Sequence, residues 1–235
     1  MNKLIVVTGG TKGIGRAVVE KFASAGFDVA TCSRSRNDLD QLANNLTGKF
    51  ANCRIFTFVA DMSKRNDVEA FSRMVTGLGR PVDVLVNNTG YFIPGDITTE
   101  EEGTLESMIE ANLYSAYHTT RHLVGDMKQR KHGHIFNMCS IASIAAYPNG
   151  GSYAISKFAL LGFSKCLREE LKPLGIRVTA VLPGATYTNS WAGADLPEER
   201  FMKADDVAET IYSAWALSER SVVEEILIRP QLGDL

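Results

Sequence analysis

The stretch LIVVTGGTKGIGRAV, residues 4–18, places an apolar run directly before a glycine-rich turn and the start of an amphipathic segment. The apolar run predicts a buried β-strand and the segment after the turn predicts a helix. Glycines there let the backbone approach a pyrophosphate, which the free N–H groups of a helix N-terminus stabilise. A plain strand-to-helix turn is the alternative, but a second predicted strand about 20 residues further on favours a nucleotide site. The candidate residues are Thr8, Gly9, Gly13 and Gly15.

Short β-branched apolar runs alternate with longer amphipathic segments along the whole chain, a pattern typical of βα units that build a parallel sheet. No Pro- or Ser-rich linker interrupts the pattern, so we predict one domain over residues 1–235. Three longer segments each follow a strand, at the sheet edge where ligands bind: 88–103, 140–152 and 185–203. The predicted strands are 4–8, 28–33, 54–59, 82–87, 134–139, 177–182 and 224–229, and the predicted helices are 14–25, 37–46, 64–77, 104–130, 153–172 and 204–217.

The composition is that of an ordinary soluble globular protein, with 45% hydrophobic residues, 22% charged residues and a formal net charge of -2. This balance gives no electrostatic footprint for nucleic acid or for an anionic membrane. The first apolar run is too short for a signal peptide or a membrane span, so we expect a cytosolic protein. The four cysteines are scattered singly, and His118 with His122 lacks a third ligand, so we predict neither disulfides nor a metal site.

The end of the second predicted strand indicates which dinucleotide the chain prefers. Sites for NAD usually place a carboxylate there, which accepts a hydrogen bond from the ribose 2′-hydroxyl and repels a 2′-phosphate. This chain has Ser33 followed by Arg34, and Lys12 lies in the glycine-rich turn. Two cations and a hydroxyl favour the phosphate of NADP(H). The alternative is that the segment SRSR, residues 33–36, is a solvated loop.

Tyr153 and Lys157 lie four residues apart near the start of a predicted helix, so both side chains project from one face. A nearby ammonium group lowers the pKa of a phenol from its usual value of about 10, and so makes it an acid–base catalyst near neutral pH. Ser140 ends the fifth predicted strand, where its hydroxyl could hydrogen-bond a substrate oxygen. Tyrosine and lysine at this spacing also occur as ordinary packing residues. Their coincidence with Ser140 and the phosphate turn favours catalysis.

These motifs together resemble the short-chain dehydrogenase/reductase family. The matching features are TGxxxGxG from Thr8, NNTG at 87–90, Asn112, Ser140, the Tyr153/Lys157 pair and PGATYT at 183–188. The resemblance implies a three-layer, doubly wound Rossmann fold of the α/β class with a seven-stranded parallel sheet. It also implies hydride transfer between a nicotinamide and a carbonyl or alcohol.

By the same resemblance, each matching residue takes on a role. Tyr153 transfers the proton, Lys157 also binds the nicotinamide ribose, and Asn112 holds a water that links the lysine to solvent. Asp61 binds the adenine amino group, unless it only caps the next helix. Asn88 and Gly90 lie beside the adenine ribose. The remaining implied cofactor contacts are Ile14, Met62, Pro183, Gly184 and Thr188.

The substrate region is predicted to be mostly apolar or aromatic, which suits a ketone or aldehyde with an apolar or flat body. We expect a carbonyl reductase, of the sepiapterin type or for ketones and aldehydes, with 3-ketoacyl-acyl-carrier-protein reduction and a non-catalytic NADP(H)-sensing regulator as alternatives. The segment 185–203 resembles the family's substrate lid. A homodimer or homotetramer through 104–130 and 153–172 is implied by the resemblance and agrees with the wide apolar arc of the second helix. The residues predicted to surround the nicotinamide are Tyr91, Phe92, Ile141, Ala142, Tyr147, Pro148, Tyr187 and Trp191.

Overall fold

The computed structural model describes residues 1–188 and 196–234 and contains a seven-stranded parallel sheet in the order β3-β2-β1-β4-β5-β6-β7. The strand order reverses between β1 and β4, which creates a crevice at the carboxyl ends of the central strands. The predicted α/β fold is confirmed, and each of the seven predicted strands is present. The strands are β1 (Leu4–Thr8), β2 (Asp28–Ser33), β3 (Ile55–Val59), β4 (Val84–Asn87), β5 (Gly133–Met138), β6 (Ile176–Pro183) and β7 (Glu225–Ile228).

Helices cover both faces of the sheet and form its outer layers. They are α1 (Gly13–Ser24), α2 (Arg36–Lys49), α3 (Arg65–Gly77), α4 (Thr104–Ile109), α5 (Ser115–Arg130), α6 (Gly151–Leu171) and α7 (Ala204–Ala216). Short 3₁₀ turns lie at Ile141–Ser143, Lys172–Leu174 and Glu198–Arg200. Among the described helices, none is long and apolar enough to cross a membrane.

The first strand shows why its residues form the centre of the sheet. Ile5 and Val7 belong to a core with Phe22 of α1, whereas Leu4 and Val6 belong to a second core on the opposite face. Alternate side chains of a strand point to opposite faces, so a strand covered on both sides needs a continuous apolar run. The first core also contains residues of α2 and α7, and the second contains residues of α3, α5 and α6.

The predicted helix 104–130 is interrupted, and this part of the prediction was wrong in detail. Residues Glu110–Tyr114 form a π-helical turn between α4 and α5. A π turn inserts one extra residue into a helix without stopping it, and such turns are frequent at functional sites. Asn112 lies within this turn and is fully buried.

Candidate active site

The glycine-rich turn after β1 has a backbone that side chains would disrupt. Gly13 has a φ of +52°, and a Cβ atom at this residue would lie 3.1 Å from the methyl group of Thr188. A Cβ atom on Gly15 would collide with the Asn88 side-chain nitrogen and with the carbonyl oxygen of Gly9. Glycine at these two positions therefore lets the turn lie close against Asn88 and Thr188.

Thr8 and Asn88 hold this turn against the end of the neighbouring central strand. The Thr8 hydroxyl oxygen accepts hydrogen bonds from the backbone N–H groups of Asn88 and Thr89, each at 3.0 Å. The Asn88 amide nitrogen donates to the carbonyl oxygens of Thr8 and Gly9, at 3.0 and 3.1 Å. Both predicted residues thus shape the crevice at the point where the strand order reverses.

The N-terminus of α1 lacks a capping side chain at its N-cap. Its N-cap, Lys12, makes no capping hydrogen bond through its side chain, and the first turn holds no acidic residue. The next helix differs, because Ser35 accepts a hydrogen bond from the Asp38 N–H at 3.2 Å. A helix N-terminus without a side-chain cap, behind a glycine turn, suits a phosphate group, because helix N–H groups and the positive dipole end stabilise an anion. Ile14 packs against the core beneath this turn.

The three residues predicted to select the 2′-phosphate lie around the end of β2. The Ser33 hydroxyl accepts a hydrogen bond from the Thr11 hydroxyl at 3.1 Å. Lys12 forms a 2.9 Å ion pair with Asp38, and Arg34 is exposed. Thus the structure brings a hydroxyl and two cations to one corner of the crevice.

Asp61 and Met62 follow β3 at the same sheet edge. One Asp61 carboxylate oxygen accepts from the N–H and the hydroxyl of Ser63, at 3.1 and 2.8 Å. Burial alone would raise the pKa of Asp61, but these hydrogen bonds and the charges of Arg34 and Lys64 lower it. The N-cap of α3 is Lys64, so Asp61 organises the turn before that helix. Met62 is buried in the second core.

Tyr153 and Lys157 meet Ser140 at the carboxyl end of β5. Lys157 is buried, and its Nζ atom donates to the Met138 carbonyl oxygen at 2.7 Å and lies 5.7 Å from the centre of the Tyr153 ring. Ser140 begins the 3₁₀ turn, where its hydroxyl oxygen accepts from the Ala142 N–H at 3.1 Å. The predicted i, i+4 pair and the upstream serine therefore converge in the fold.

The pKa values in this cluster differ from the simple expectation of a lowered tyrosine pKa. Burial raises the pKa of Tyr153, and the interaction with the Ser140 side chain only partly opposes this effect. Burial also lowers the pKa of Lys157 to about 8, because a desolvated ammonium group is disfavoured. In the protein alone, desolvation is therefore the largest influence on the pKa of the phenol.

The side chain of Asn112 is held by protein atoms on the other side of Lys157. Its Oδ1 atom accepts from the Tyr91 N–H at 2.9 Å, and its Nδ2 atom donates to the Tyr91 carbonyl and the Ser156 hydroxyl, at 3.1 and 2.9 Å. A Cβ atom on Gly90 would lie 2.8 Å from Asn112 Oδ1 and 3.5 Å from Lys157 Nζ. Sequence analysis missed Ser156, although its i+3 spacing from Tyr153 places it on the same helix face.

The segment after β6 lies across the glycine turn. Pro183 ends the strand, the Gly184 N–H donates to the Ile228 carbonyl at 2.8 Å, and the Thr188 side chain faces Gly13. The predicted lid is described only in part, because Trp191 and the rest of 189–195 lie outside the described residues.

One of the residues predicted to surround the nicotinamide contacts Tyr153 directly. The Phe92 ring meets the Tyr153 ring edge-on, with centroids 5.0 Å apart. Ala142 differs from the prediction because it is fully buried. No group of three or more metal-ligating side chains occurs within 1–188 and 196–234. The predicted aromatic residues that are exposed are Tyr91, Phe92, Tyr147 and Tyr187.

Comparisons with known proteins agree with this geometry. The family model for short chain dehydrogenase matches residues 3–198. A sepiapterin reductase from Chlorobaculum tepidum is 30% identical over 241 aligned residues, which cover 100% of this chain and 99% of that protein. An alcohol dehydrogenase from the archaeon Thermococcus sibiricus, solved with 5-hydroxy-NADP, has a TM-score of 0.91 and 28% identity, and the alignment covers 98% of this chain and 97% of that one. The L-sorbose reductase from Gluconobacter frateurii, solved with NADPH and L-sorbose, has a TM-score of 0.88 and 26% identity over 97% of this chain and 95% of that one. The chain therefore belongs to the short-chain dehydrogenase/reductase family of oxidoreductases.

Proposed function

We propose that this chain is an NADP(H)-dependent reductase of ketones or aldehydes, and that Tyr153 is its proton donor. The observation that carries the proposal is the convergence of Tyr153, Lys157 and Ser140 beside the glycine turn. The relatives solved with NADP or NADPH support the choice of cofactor.

The chain offers a fitting place for each part of the dinucleotide. The N-terminus of α1 and the turn from Gly9 to Gly15 would hold the pyrophosphate. Ser33, Arg34 and Lys12 would hold the 2′-phosphate, with charge-assisted hydrogen bonds. The adenosine would lie near Asp61, Met62, Asn88 and Gly90, and the nicotinamide riboside near Lys157, Pro183, Gly184 and Thr188. When bound, NADPH supplies the hydride for carbonyl reduction.

The protein's own groups then handle the proton and the substrate oxygen. The Ser140 hydroxyl orients the carbonyl oxygen, and the Tyr153 phenol donates its proton as negative charge develops there. The raised pKa of Tyr153 keeps the phenol protonated at neutral pH, which suits reduction. Lys157, when charged, stabilises the phenolate that remains after the transfer. Asn112 holds the Tyr91 backbone beside this cluster.

The proposed substrate class rests on the aromatic side chains predicted to surround the nicotinamide. Phe92 packs against Tyr153, and Tyr91, Tyr147 and Tyr187 are also exposed. Exposed aromatic side chains in this region favour a flat or apolar carbonyl compound, and the sepiapterin reductase relative supports the same class. Reduction of 3-ketoacyl-acyl-carrier-protein is the second candidate.

A single assay separates an enzyme from an NADP(H)-sensing regulator. Oxidation of NADPH and of NADH is followed with ketones, aldehydes, pterins and ketoacyl thioesters. The assay compares the wild type with Tyr153→Phe and with a control, Tyr117→Phe. The Tyr117 side chain lies on α5 and is exposed, and its hydroxyl accepts a hydrogen bond from Arg121. We expect turnover with NADPH that Tyr153→Phe lowers by about 10²–10⁴-fold and the control leaves intact. Tight NADPH binding without turnover of any substrate would support the regulator instead.

A homodimer or homotetramer is part of the proposal. Exposed apolar side chains lie on the π turn and on α6, at Tyr114, Ile155 and Phe158. In the proposed assembly these side chains would be covered by another subunit. Light scattering of the purified protein measures the oligomeric state directly, and a monomeric mass at micromolar concentration would contradict this part.

A further inference from the structure

We propose that Glu100 is a positioning residue that fixes the first turn of the catalytic helix α6 and thereby the orientation of Tyr153. The proposal rests on the proposed function only for its effect on turnover. Its structural basis is a contact between two segments 52 residues apart in sequence.

The carboxylate of Glu100 reaches the start of α6 from the loop after β4. Its Oε1 atom accepts a hydrogen bond from the hydroxyl of Ser152, which is 1% exposed and immediately precedes Tyr153. Its Oε2 atom is buried without a hydrogen-bond partner in the described part of the chain, and lies 3.1 Å from the position of a Cβ atom on Gly151. The carboxylate thus stands against the first two residues of the helix.

The helix itself has no local group that could do this. Its N-cap, Gly150, makes no side-chain capping hydrogen bond, and its first turn contains no acidic residue. A carboxylate near a helix N-terminus stabilises the uncompensated N–H groups and the positive end of the dipole. Glu100 supplies this charge from another segment. Because Tyr153 is the third residue of α6, the geometry of the first turn sets the direction of the phenol.

A second set of contacts joins the same two segments. The Gly95 N–H donates to the Asn149 carbonyl at 3.1 Å, and the Asn149 N–H donates to Asp96 Oδ1 at 3.2 Å. Asn149 has a φ of +59°, a conformation that residues other than glycine adopt at a cost. In this conformation the Asn149 backbone forms both hydrogen bonds to the loop, with Gly95 and with Asp96.

The loop also contacts the ring of Tyr153. Phe92 lies on the same loop as Glu100 and packs edge-on against the phenol. The loop therefore contacts the first turn of α6 at two points, through Glu100 at Ser152 and through Phe92 at Tyr153. Loss of the Glu100 hydrogen bond frees one end of the loop and one end of the helix together, and a displacement of about 1 Å at a reacting group costs up to about 10²-fold in rate.

Four variants separate the hydrogen bond from charge and from general stability. Glu100→Ala and Ser152→Ala remove the bond, Glu100→Gln keeps an acceptor oxygen, and Glu101→Ala removes the neighbouring exposed charge as a control. We expect the two alanine variants at the bond to lower kcat by about tenfold, while the NADPH dissociation constant changes by less than about twofold. Glu100→Gln and the control should stay within about threefold of wild-type kcat.

A readout independent of turnover completes the test. 3-Fluorotyrosine placed at position 153 reports the ring environment by ¹⁹F NMR, with the folded fraction measured by circular dichroism. We expect a shifted or broadened resonance in Glu100→Ala and Ser152→Ala, and a wild-type resonance in Glu100→Gln and Glu101→Ala. An unchanged resonance in folded Glu100→Ala would overturn the proposal. A shifted resonance in a chain that reduces no carbonyl compound would instead overturn the proposed function and leave the positioning role standing.

Discussion

Lys12 of the glycine turn and Asp38 of α2 form an ion pair, with 2.9 Å between Nζ and Oδ2. The lysine side chain is 59% exposed and the carboxylate 23% exposed, so the pair lies at the rim of the crevice. One of the two cations that we assign to the 2′-phosphate is therefore already partly balanced. Arg34 also lies near a carboxylate, that of Asp61, since the charge of Arg34 contributes to the lowered pKa of Asp61.

The double variant Lys12→Ala/Arg34→Ala tests the assignment of cofactor. Each charge-assisted hydrogen bond to a phosphate contributes about 1.5–3 kcal/mol, so we expect loss of both cations to weaken NADPH binding at least about 100-fold and to change NADH binding by less than about threefold. Fluorescence titration with both dinucleotides measures this ratio. The control Lys49→Ala/Lys128→Ala removes two exposed cations elsewhere. Equal losses for NADPH and NADH would contradict a 2′-phosphate site here.

Asp38→Asn is expected to strengthen NADPH binding. The change removes the carboxylate that competes with the phosphate for Lys12, and it keeps the backbone N–H that Ser35 caps. Because exposed ion pairs are worth about 0–1 kcal/mol, the expected gain is about two- to fivefold in NADPH affinity, with NADH binding unchanged. Weaker NADPH binding would show that the ion pair holds Lys12 in place instead of competing for it.

Gly15→Ala should disrupt the glycine turn, although alanine is the better helix former. Its Cβ atom would collide with Asn88 and with the Gly9 carbonyl, so the turn must move away from β4. We expect NADPH affinity to fall by at least about tenfold and the free energy of unfolding to fall by about 1–3 kcal/mol. The control is Gly48→Ala in α2, where nothing lies within 4 Å and the change should be neutral or stabilising. Similar behaviour of the two variants would contradict the close approach.

Sequence periodicity predicted the seven strands because each central strand is buried on both faces and reads as a continuous apolar run. Strand and helix ends differ by a few residues, since fraying and capping depend on neighbours. The π turn at Glu110–Tyr114 escaped prediction because one extra residue in a turn hardly changes a 3.6-residue pattern. The contacts of Glu100 and Asp38 also escaped it, because they depend on which loops the fold brings together.

Tyr153, Lys157 and Ser140 were proposed from their spacing and Asn112 from the family resemblance, but the electrostatics of these residues could not be predicted. Charge proximity predicted a lowered pKa for Tyr153, and burial raises it instead. The balance between desolvation and nearby charge depends on how deeply a side chain is buried, and the sequence does not specify this burial. Burial also lowers the pKa of Lys157, whose amine lies against the Met138 carbonyl at the end of β5.

Activity should fall as pH rises through about 8, because Lys157 loses its charge there in the free enzyme. The raised pKa of Tyr153 means that the phenol is still protonated at that point, so the lysine titrates first. Lys157→Arg should lower the rate and move the alkaline limb of kcat/KM to higher pH, since arginine stays charged. Measurement from pH 6 to 10 checks this, with Lys165→Arg on the exposed face of α6 as the control. An unmoved limb in Lys157→Arg would assign it to another group.

His134 gives the fold a dependence on pH that is independent of the active site. Its ring is fully buried against Phe136, with ring centroids 3.9 Å apart, and its Nε2 atom lies 2.8 Å from the Thr179 hydroxyl. That hydroxyl already donates to the Val223 carbonyl at 2.6 Å, so it accepts from Nε2–H. Nδ1 has no partner within the described residues, and burial, with the charge of Arg177, holds the pKa of His134 well below its usual value.

Histidine in the unfolded chain titrates near pH 6.5. Just below that pH, the unfolded chain therefore binds a proton at position 134, whereas His134 of the folded chain stays neutral. Stability contributed by neutral His134 is present above about pH 6.5 and is lost as pH falls below it, by about 1.4 kcal/mol for each further pH unit. Urea unfolding at pH 7.5 and 5.5 should show this loss in the wild type. Between pH 7.5 and pH 5.5, His134→Gln, which cannot titrate, should lose about 1.4 kcal/mol less stability than the wild type, even if the variant is less stable at pH 7.5. The surface variant His132→Gln should keep the wild-type dependence, and parallel curves for wild type and His134→Gln would exclude His134 as the titrating group.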